Sequence, residues 1–266
     1  MKTLPAFLGV ALCCARGMSA AAGDDTISLG LSGGCVLPMH SGTFNFENVP
    51  DSFPRHTFGT GSGFRLGLSM VMPLDTSGAW SAGLNVGVSS MSDYKEELRE
   101  VFPAIVDGKL IESGLYNTLK ITLFSWYVEG EVRFKPFGNL GLGVMAGLGA
   151  SYFAKTDYRQ TNQLDIDCDR IIIGPKYPDI EPVVRDYQPN FTNDCFNELL
   201  LYEGETPDAN RWQAYWRGGV FYEFLVGKRW VISPSVSYNF PLVAVSSTQT
   251  WRIHQLAASV DVRLRL

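Results

Sequence analysis

The run Leu256-Ala257-Ala258-Ser259-Val260-Asp261-Val262-Arg263-Leu264-Arg265-Leu266 alternates without a break between apolar residues and small or charged ones. A period of two is the signature of a β-strand with one apolar and one polar face. Here the polar face carries Asp261, Arg263 and Arg265. In a soluble barrel or sandwich the apolar face would turn inward. In a transmembrane barrel it turns to lipid and the charges turn to the lumen. The second reading prevails because the same pattern recurs along the chain behind a stretch that reads as an export signal.

Residues 1–22 supply that signal. Lys2 gives a charged start, Leu4 to Ala15 is an apolar run too short to span a bilayer, and Ala20-Ala21-Ala22 offers small residues for cleavage. The adjacent Cys13 and Cys14 do not make a lipoprotein site, since Leu12 stands where a small residue is wanted. The mature domain is then 23–266, with no later uncharged apolar segment long enough for a membrane helix. A net charge of −5 and the lack of any basic run exclude nucleic acid as an expected partner. The 27 glycines and 12% aromatic residues suit an all-β chain with close strand packing and interfacial rings.

Eight strands follow from the alternation. Their apolar faces are Ile27–Leu29–Leu31, then Phe64 to Met72, Trp80 to Val88, Phe124 to Phe134, Leu140 to Tyr152, Trp212 to Val226, Ile232 to Phe240, and the last strand. Each is long enough to cross hydrocarbon when tilted. In the fourth, Leu119, Ile121 and Leu123 fall on the polar parity, which predicts a bulge near Leu123 or protrusion above the membrane. Short turns follow strands two, four and six, whereas long segments, 36–60, 90–118 and 153–211, follow strands one, three and five. The segment 241–250 is intermediate. This alternation is that of bacterial outer-membrane barrels, with short periplasmic turns and long outer loops. Two aromatic girdles are expected: Trp80, Phe134, Phe137 and Trp230 at the short-turn end, and Trp212, Trp216, Tyr152, Phe240 and Trp251 at the long-loop end.

The signal, the eight alternating strands, the alternating loop lengths and the charged lumen together resemble the small OmpA-like and PorT-like outer-membrane β-barrels. The resemblance spans 23–266 and is architectural. The chain departs from that pattern in ending on Leu266 rather than an aromatic, and in the length of 153–211. It implies an all-β, eight-stranded antiparallel transmembrane barrel in the outer membrane, with long extracellular loops.

The chemistry-bearing residues are few. Parity turns Arg65, Glu129, Glu131, Arg133, Arg217, Glu223, Asp261, Arg263 and Arg265 into the lumen, where five arginines would face four carboxylates. The lumen of an eight-stranded barrel is just wide enough for side chains to fill. A network of ion pairs that closes the pore is therefore expected, with arginine forks suited to a crowded interior. His254 is the one histidine on a predicted strand and faces outward near the outer end. A catalytic pair on one face of its strand would need a serine two positions on, but residue 256 is leucine. His254 therefore reads as an interfacial histidine and the chain as a non-enzyme.

Cys168 and Cys195 lie in one long segment and form the expected disulfide. It would constrain the unfolded chain by roughly 3–4 kcal/mol in the entropy model. Cys35 is the competing partner. With only His40, His56 and His254, no zinc set assembles. Asp165, Asp167 and Asp169 lack the glycine and distal glutamate of a calcium loop, so they read as a solvated rim. No cofactor or metal is expected. The aromatic density of 153–211 (Tyr158, Tyr177, Tyr187, Phe191, Phe196, Tyr202) reads as a folded cap on the outer mouth.

These readings lead to a monomeric outer-membrane protein with a structural or surface-interaction role. Its partners would be outer-membrane lipid and, at the extracellular loops or the periplasmic rim, another protein. The alternatives are a small pore or carrier for ions or hydrophobic molecules and, from the PorT-like resemblance alone, an accessory part of a secretion system.

Overall fold

The computed structural model describes residues 27–44, 56–106, 109–137, 141–164, 190–191, 198–206, 209–227, 229–246 and 250–266. Residues 1–22, Cys168, Cys195 and the acidic triplet at 165, 167 and 169 lie outside the described residues.

The strands are β1 (Ser28–Phe44), β2 (His56–Pro73), β3 (Trp80–Val106), β4 (Lys109–Phe134), β5 (Leu142–Leu164), β6 (Asn190–Phe191), β7 (Glu198–Glu205), β8 (Trp212–Tyr222), β9 (Phe224–Val226), β10 (Trp230–Pro241) and β11 (Arg252–Arg265). Every pairing is antiparallel. The wall runs β1-β2-β3-β4-β5-β8-β10-β11, and β11 returns to β1, so the ladder closes. The short β9 continues the β8 position against β10 beyond Glu223. This ring of eight is a transmembrane β-barrel. Closure pairs the backbone groups of the wall, which is what allows a sheet to lie in hydrocarbon.

Burial is inverted relative to a soluble protein. On β11, Ser259, Asp261 and Arg263 are buried, while Leu256, Val260 and Val262 are exposed. On β2, Arg65 and Ser69 are buried beside the exposed Phe64, Leu66 and Leu68. An apolar wall around a polar interior is stable only if lipid, not water, covers the wall.

Interior glycines make room for large neighbours. A Cβ on Gly149 would lie 2.3 Å from the Tyr215 ring, and one on Gly67 or Gly87 would lie 2.7 Å from the Tyr127 hydroxyl. Small residues thus face large ones across a lumen with little spare width.

Three expectations are corrected. First, the segments after strands one, three and five are not simply loops. β3 and β4 stay paired out to Val106 opposite Lys109, and their 27 and 26 residues far exceed the ~10 that cross a bilayer. The segment 153–211 begins as strand, because β5 continues to Leu164 and pairs with β7. Second, β4 has no bulge near Leu123, since its register with β3 is unbroken from Phe134 to Tyr116. The irregularity is on β5, where Phe124 pairs with Lys155 but Ser125 pairs with Phe153, leaving Ala154 as the extra residue. Leu119, Ile121 and Leu123 keep the inward parity and are buried. What changes along β4 is the lumen, where an apolar cluster gathers at that level. Third, Trp251 is not a girdle residue. It is buried inside the barrel mouth, where its Nε1–H donates to His40 Nδ1 at 2.8 Å.

Candidate functional site: the sealed lumen and a polar patch on the wall

Period-two alternation on β2, β4, β8 and β11 brings the inward charges together at the half of the barrel nearer the short turns. Glu129, fully buried on β4, is the hub. Its Oε2 accepts from Arg65 Nη2 at 2.5 Å and from Arg217 Nη1 at 2.7 Å, and its Oε1 accepts from the Tyr215 hydroxyl at 2.9 Å. Arg217 Nε also lies 3.2 Å from Glu131 Oε2, and Glu131 Oε1 accepts from Arg133 Nε at 2.6 Å. Arg133 Nη2 then donates to Asp261 Oδ2 at 3.1 Å, an oxygen that Ser69 Oγ also approaches at 3.3 Å.

Toward the short-turn mouth, Glu223 receives Arg263 Nη2 at 2.6 Å and Lys135 Nζ at 3.1 Å. Arg133 Nη1 lies 3.7 Å from Glu223 Oε1, so the ion pairs link into one chain from Arg65 to Lys135. Two stacked contacts thicken it: the Arg65 guanidinium lies 4.2 Å over the Tyr127 ring and that of Arg133 lies 5.0 Å over Phe221.

Eight of the nine expected lumen residues take part. Arg265 does not: it sits on the terminal rung of β11, opposite Ser28, and is exposed. Lys135, just past the end of β4, takes the fifth positive position instead. It lies one residue past the end of β4 but on the parity of Glu129, Glu131 and Arg133, so alternation carried one rung further points it inward. Tyr127 and Tyr215 were also missed as network members, although their inward parity was readable.

Above the ionic layer an apolar cluster packs in the lumen among buried polar side chains such as Asp93, Thr156 and Gln160. Val36, Met91, Leu119, Ile121, Leu123, Phe153, Tyr158, Val245, Trp251, Ile253 and Ala257 form one buried cluster. Val245 reaches it from the β10–β11 connection, tied by Val245 N to Trp251 O at 2.8 Å and by Asn210 N to Val245 O at 2.6 Å. At its margin the buried His40 Nε2 lies 2.8 Å from Asp93 Oδ2. The interior is thus filled at two levels by opposite means, salt bridges below and packed side chains above.

A polar constellation stands on the outer wall near the long-loop end. His254 stands outward on β11 between β1 and β10. Its Nε2 is 3.0 Å from Ser41 Oγ, and its Nδ1 is 2.8 Å from the Tyr238 hydroxyl. The Phe240 ring packs edge-on against the imidazole at 5.3 Å. Ser41 comes from a different strand, placed by the register in which Met39 pairs with His254 and Ser41 with Arg252. A search along one strand could not meet it. Cys35, also on the outer face of β1, is an exposed free thiol. Among the described residues no group of acidic, histidine and cysteine side chains could hold a metal ion.

No family model and no curated relative matches the chain. Similar solved structures are Neisserial surface protein A, at 10% identity over 90% of this chain and 97% of that one with a TM-score of 0.37, and Ail, the attachment invasion locus protein of Yersinia pestis, in complex with the heparin analogue sucrose octasulfate, at 11% identity over 90% and 99% with a TM-score of 0.32. The translocator domain of the autotransporter NalP from Neisseria meningitidis is more distant, at 11% identity over 98% and 96% with a TM-score of 0.21. Similarity at this level says nothing of what the chain binds or does. The PorT-like part of the resemblance finds no support among them.

Proposed function

We propose that this chain is an integral outer-membrane protein whose barrel is a closed anchor and whose role lies at the surface, in contacts made by its elaborated long-loop end. The observation that carries this reading is the double seal of the lumen. A continuous ion-pair chain from Arg65 to Lys135 is capped by a packed apolar cluster. A barrel filled in this way offers little to a permeating ion or a hydrophobic passenger. The strand extensions of β3, β4, β5 and β7 commit much of the chain to structure beyond the membrane. Residues 1–22 act in this proposal as a removable export signal. Cys168 and Cys195 act as the staple of the cap within 153–211, so a Cys168→Ser chain should be nicked by protease on whole cells while its barrel core survives.

The test has two parts. The protein should fractionate with outer membranes and migrate heat-modifiably on gels, and recovery as a soluble protein without detergent would sink the placement. Purified protein in planar bilayers should show no steady conductance; a reproducible open level would replace the anchor with the pore reading. Pull-down of surface or periplasmic partners then addresses the interaction itself.

A further inference from the structure

We propose that the outer wall of the barrel carries a serine-nucleophile site, Ser41–His254–Tyr238, that cleaves acyl esters of membrane lipids. This goes beyond the anchor reading and requires only that the wall face lipid. Three side chains from three adjacent strands converge in the order that nucleophilic catalysis needs. Ser41 Oγ sits at His254 Nε2, and a third polar group, the Tyr238 hydroxyl, sits at Nδ1. With the Nδ1 proton donated to Tyr238, Nε2 is free to accept the serine proton, so Tyr238 acts as a positioning residue.

The backbone also singles out this spot. Gly42, immediately after Ser41, has a φ of +94°, and a Cβ there would lie 2.3 Å from the Thr250 carbonyl oxygen. The β1–β2 register shifts between Ser41 and Phe44. Bulges of this kind re-aim side chains and are over-represented beside active sites. Arg252, directly across the ladder from Ser41 and exposed, is placed to meet negative charge on a substrate carbonyl oxygen or headgroup. The depth suits the substrate class. Tyr238 and Phe240 are exposed aromatics at the long-loop end, the level at which rings mark the membrane interface and at which the ester linkages of lipids lie.

In the reaction Ser41 Oγ bonds to the ester carbonyl carbon as its proton passes to His254 Nε2. The carbon–oxygen bond to the lipid alcohol then breaks, and the proton passes from Nε2 to that leaving oxygen. Water attacks the acyl-serine, His254 takes a proton from it and returns it to Ser41 Oγ, and the fatty acid leaves.

The test uses the full chain folded in detergent, with folding checked by heat-modifiable migration. An alkyl fluorophosphonate probe should attach to Ser41, located by peptide mapping. The labelling rate should fall about 100- to 10,000-fold in His254→Gln, the range for loss of a general base. Tyr238→Phe should fold normally yet shift the pH profile of labelling, an effect that loss of packing alone would not give. In vesicles of phosphatidylethanolamine, with or without lipopolysaccharide, fatty acid should be released by wild type and not by Ser41→Ala. The vesicle type that responds names the lipid. If folded wild type leaves Ser41 unlabelled and releases no more fatty acid than Ser41→Ala, the two hydroxyls merely satisfy an interfacial imidazole and the proposal falls.

Discussion

At the scale of single residues, the fully buried Glu129 shows how this interior is held. It faces two guanidiniums and a phenol hydroxyl, so its removal would leave Arg65 an uncompensated buried charge and Arg217 with Glu131 as its one remaining carboxylate. Breaking a buried pair from one side costs about 3–5 kcal/mol, whereas replacing all partners with well-packed apolar groups is often neutral. Glu129→Gln should therefore lower the urea midpoint of the folded barrel markedly. Combining it with apolar replacements of Arg65 and Arg217 should recover part of the loss. The opposite face obeys the opposite rule. Val260 is mid-strand on β11 and exposed to lipid, so Val260→Arg should cost about 2–4 kcal/mol near the midplane, read by reversible unfolding in bilayers. The same arginine is an asset at position 263 and a liability at 260, because the pleat decides which medium it meets.

Among the elements, the β2–β3 turn shows how local chemistry ends a strand pair. Asp75 accepts from the Ser77 hydroxyl and, at 3.0 Å, from the Trp80 amide, while Gly78 takes a φ of +67°. The Ser77 hydrogen bond first, and the Trp80 amide second, hold the Asp75 carboxyl below its ordinary range. A carboxylate depressed in the folded state adds stability above its unfolded pKa and loses it as pH falls through the folded value. Ser77→Ala should therefore raise the Asp75 titration midpoint, as followed by carboxyl NMR in micelles, and the turn should loosen at a higher pH than in wild type. At the other end of the wall, the Ala154 bulge shifts the parity of β5. Strand beyond it therefore stops looking like strand in the sequence, although β4 and β7 keep it paired out to Leu164 and Gln163.

Taken whole, the molecule is a wall with an extension. The rungs up to Lys95 opposite Leu119 enclose the ionic layer and the apolar cluster; beyond them β3 and β4 stay paired to Val106 opposite Lys109, with β5 beside β4 as far as Leu115 opposite Leu164. Replacing 98–116 by a short turn should leave a heat-modifiable barrel of unchanged urea midpoint and, under the proposed surface role, remove the partners recovered by pull-down. A loss of folding would mean that the extension is part of the closure. The barrel, its strand number, its two faces and most of its lumen charges were legible in the sequence because each follows from a period-two pattern, which one residue and its neighbours define. Tertiary structure alone decided three things. Lys135 rather than Arg265 completes the charge chain because Glu223 lies within its reach at the short-turn mouth, whereas Arg265 on the terminal rung of β11 is exposed. Leu119, Ile121 and Leu123 form an inner seal because Trp251 and Val245 fold in to meet them. Ser41 reaches His254 because β1 and β11, at opposite ends of the chain, are joined in one register by ring closure. Local periodicity determines which way a side chain points, but what it meets depends on strands far away in sequence.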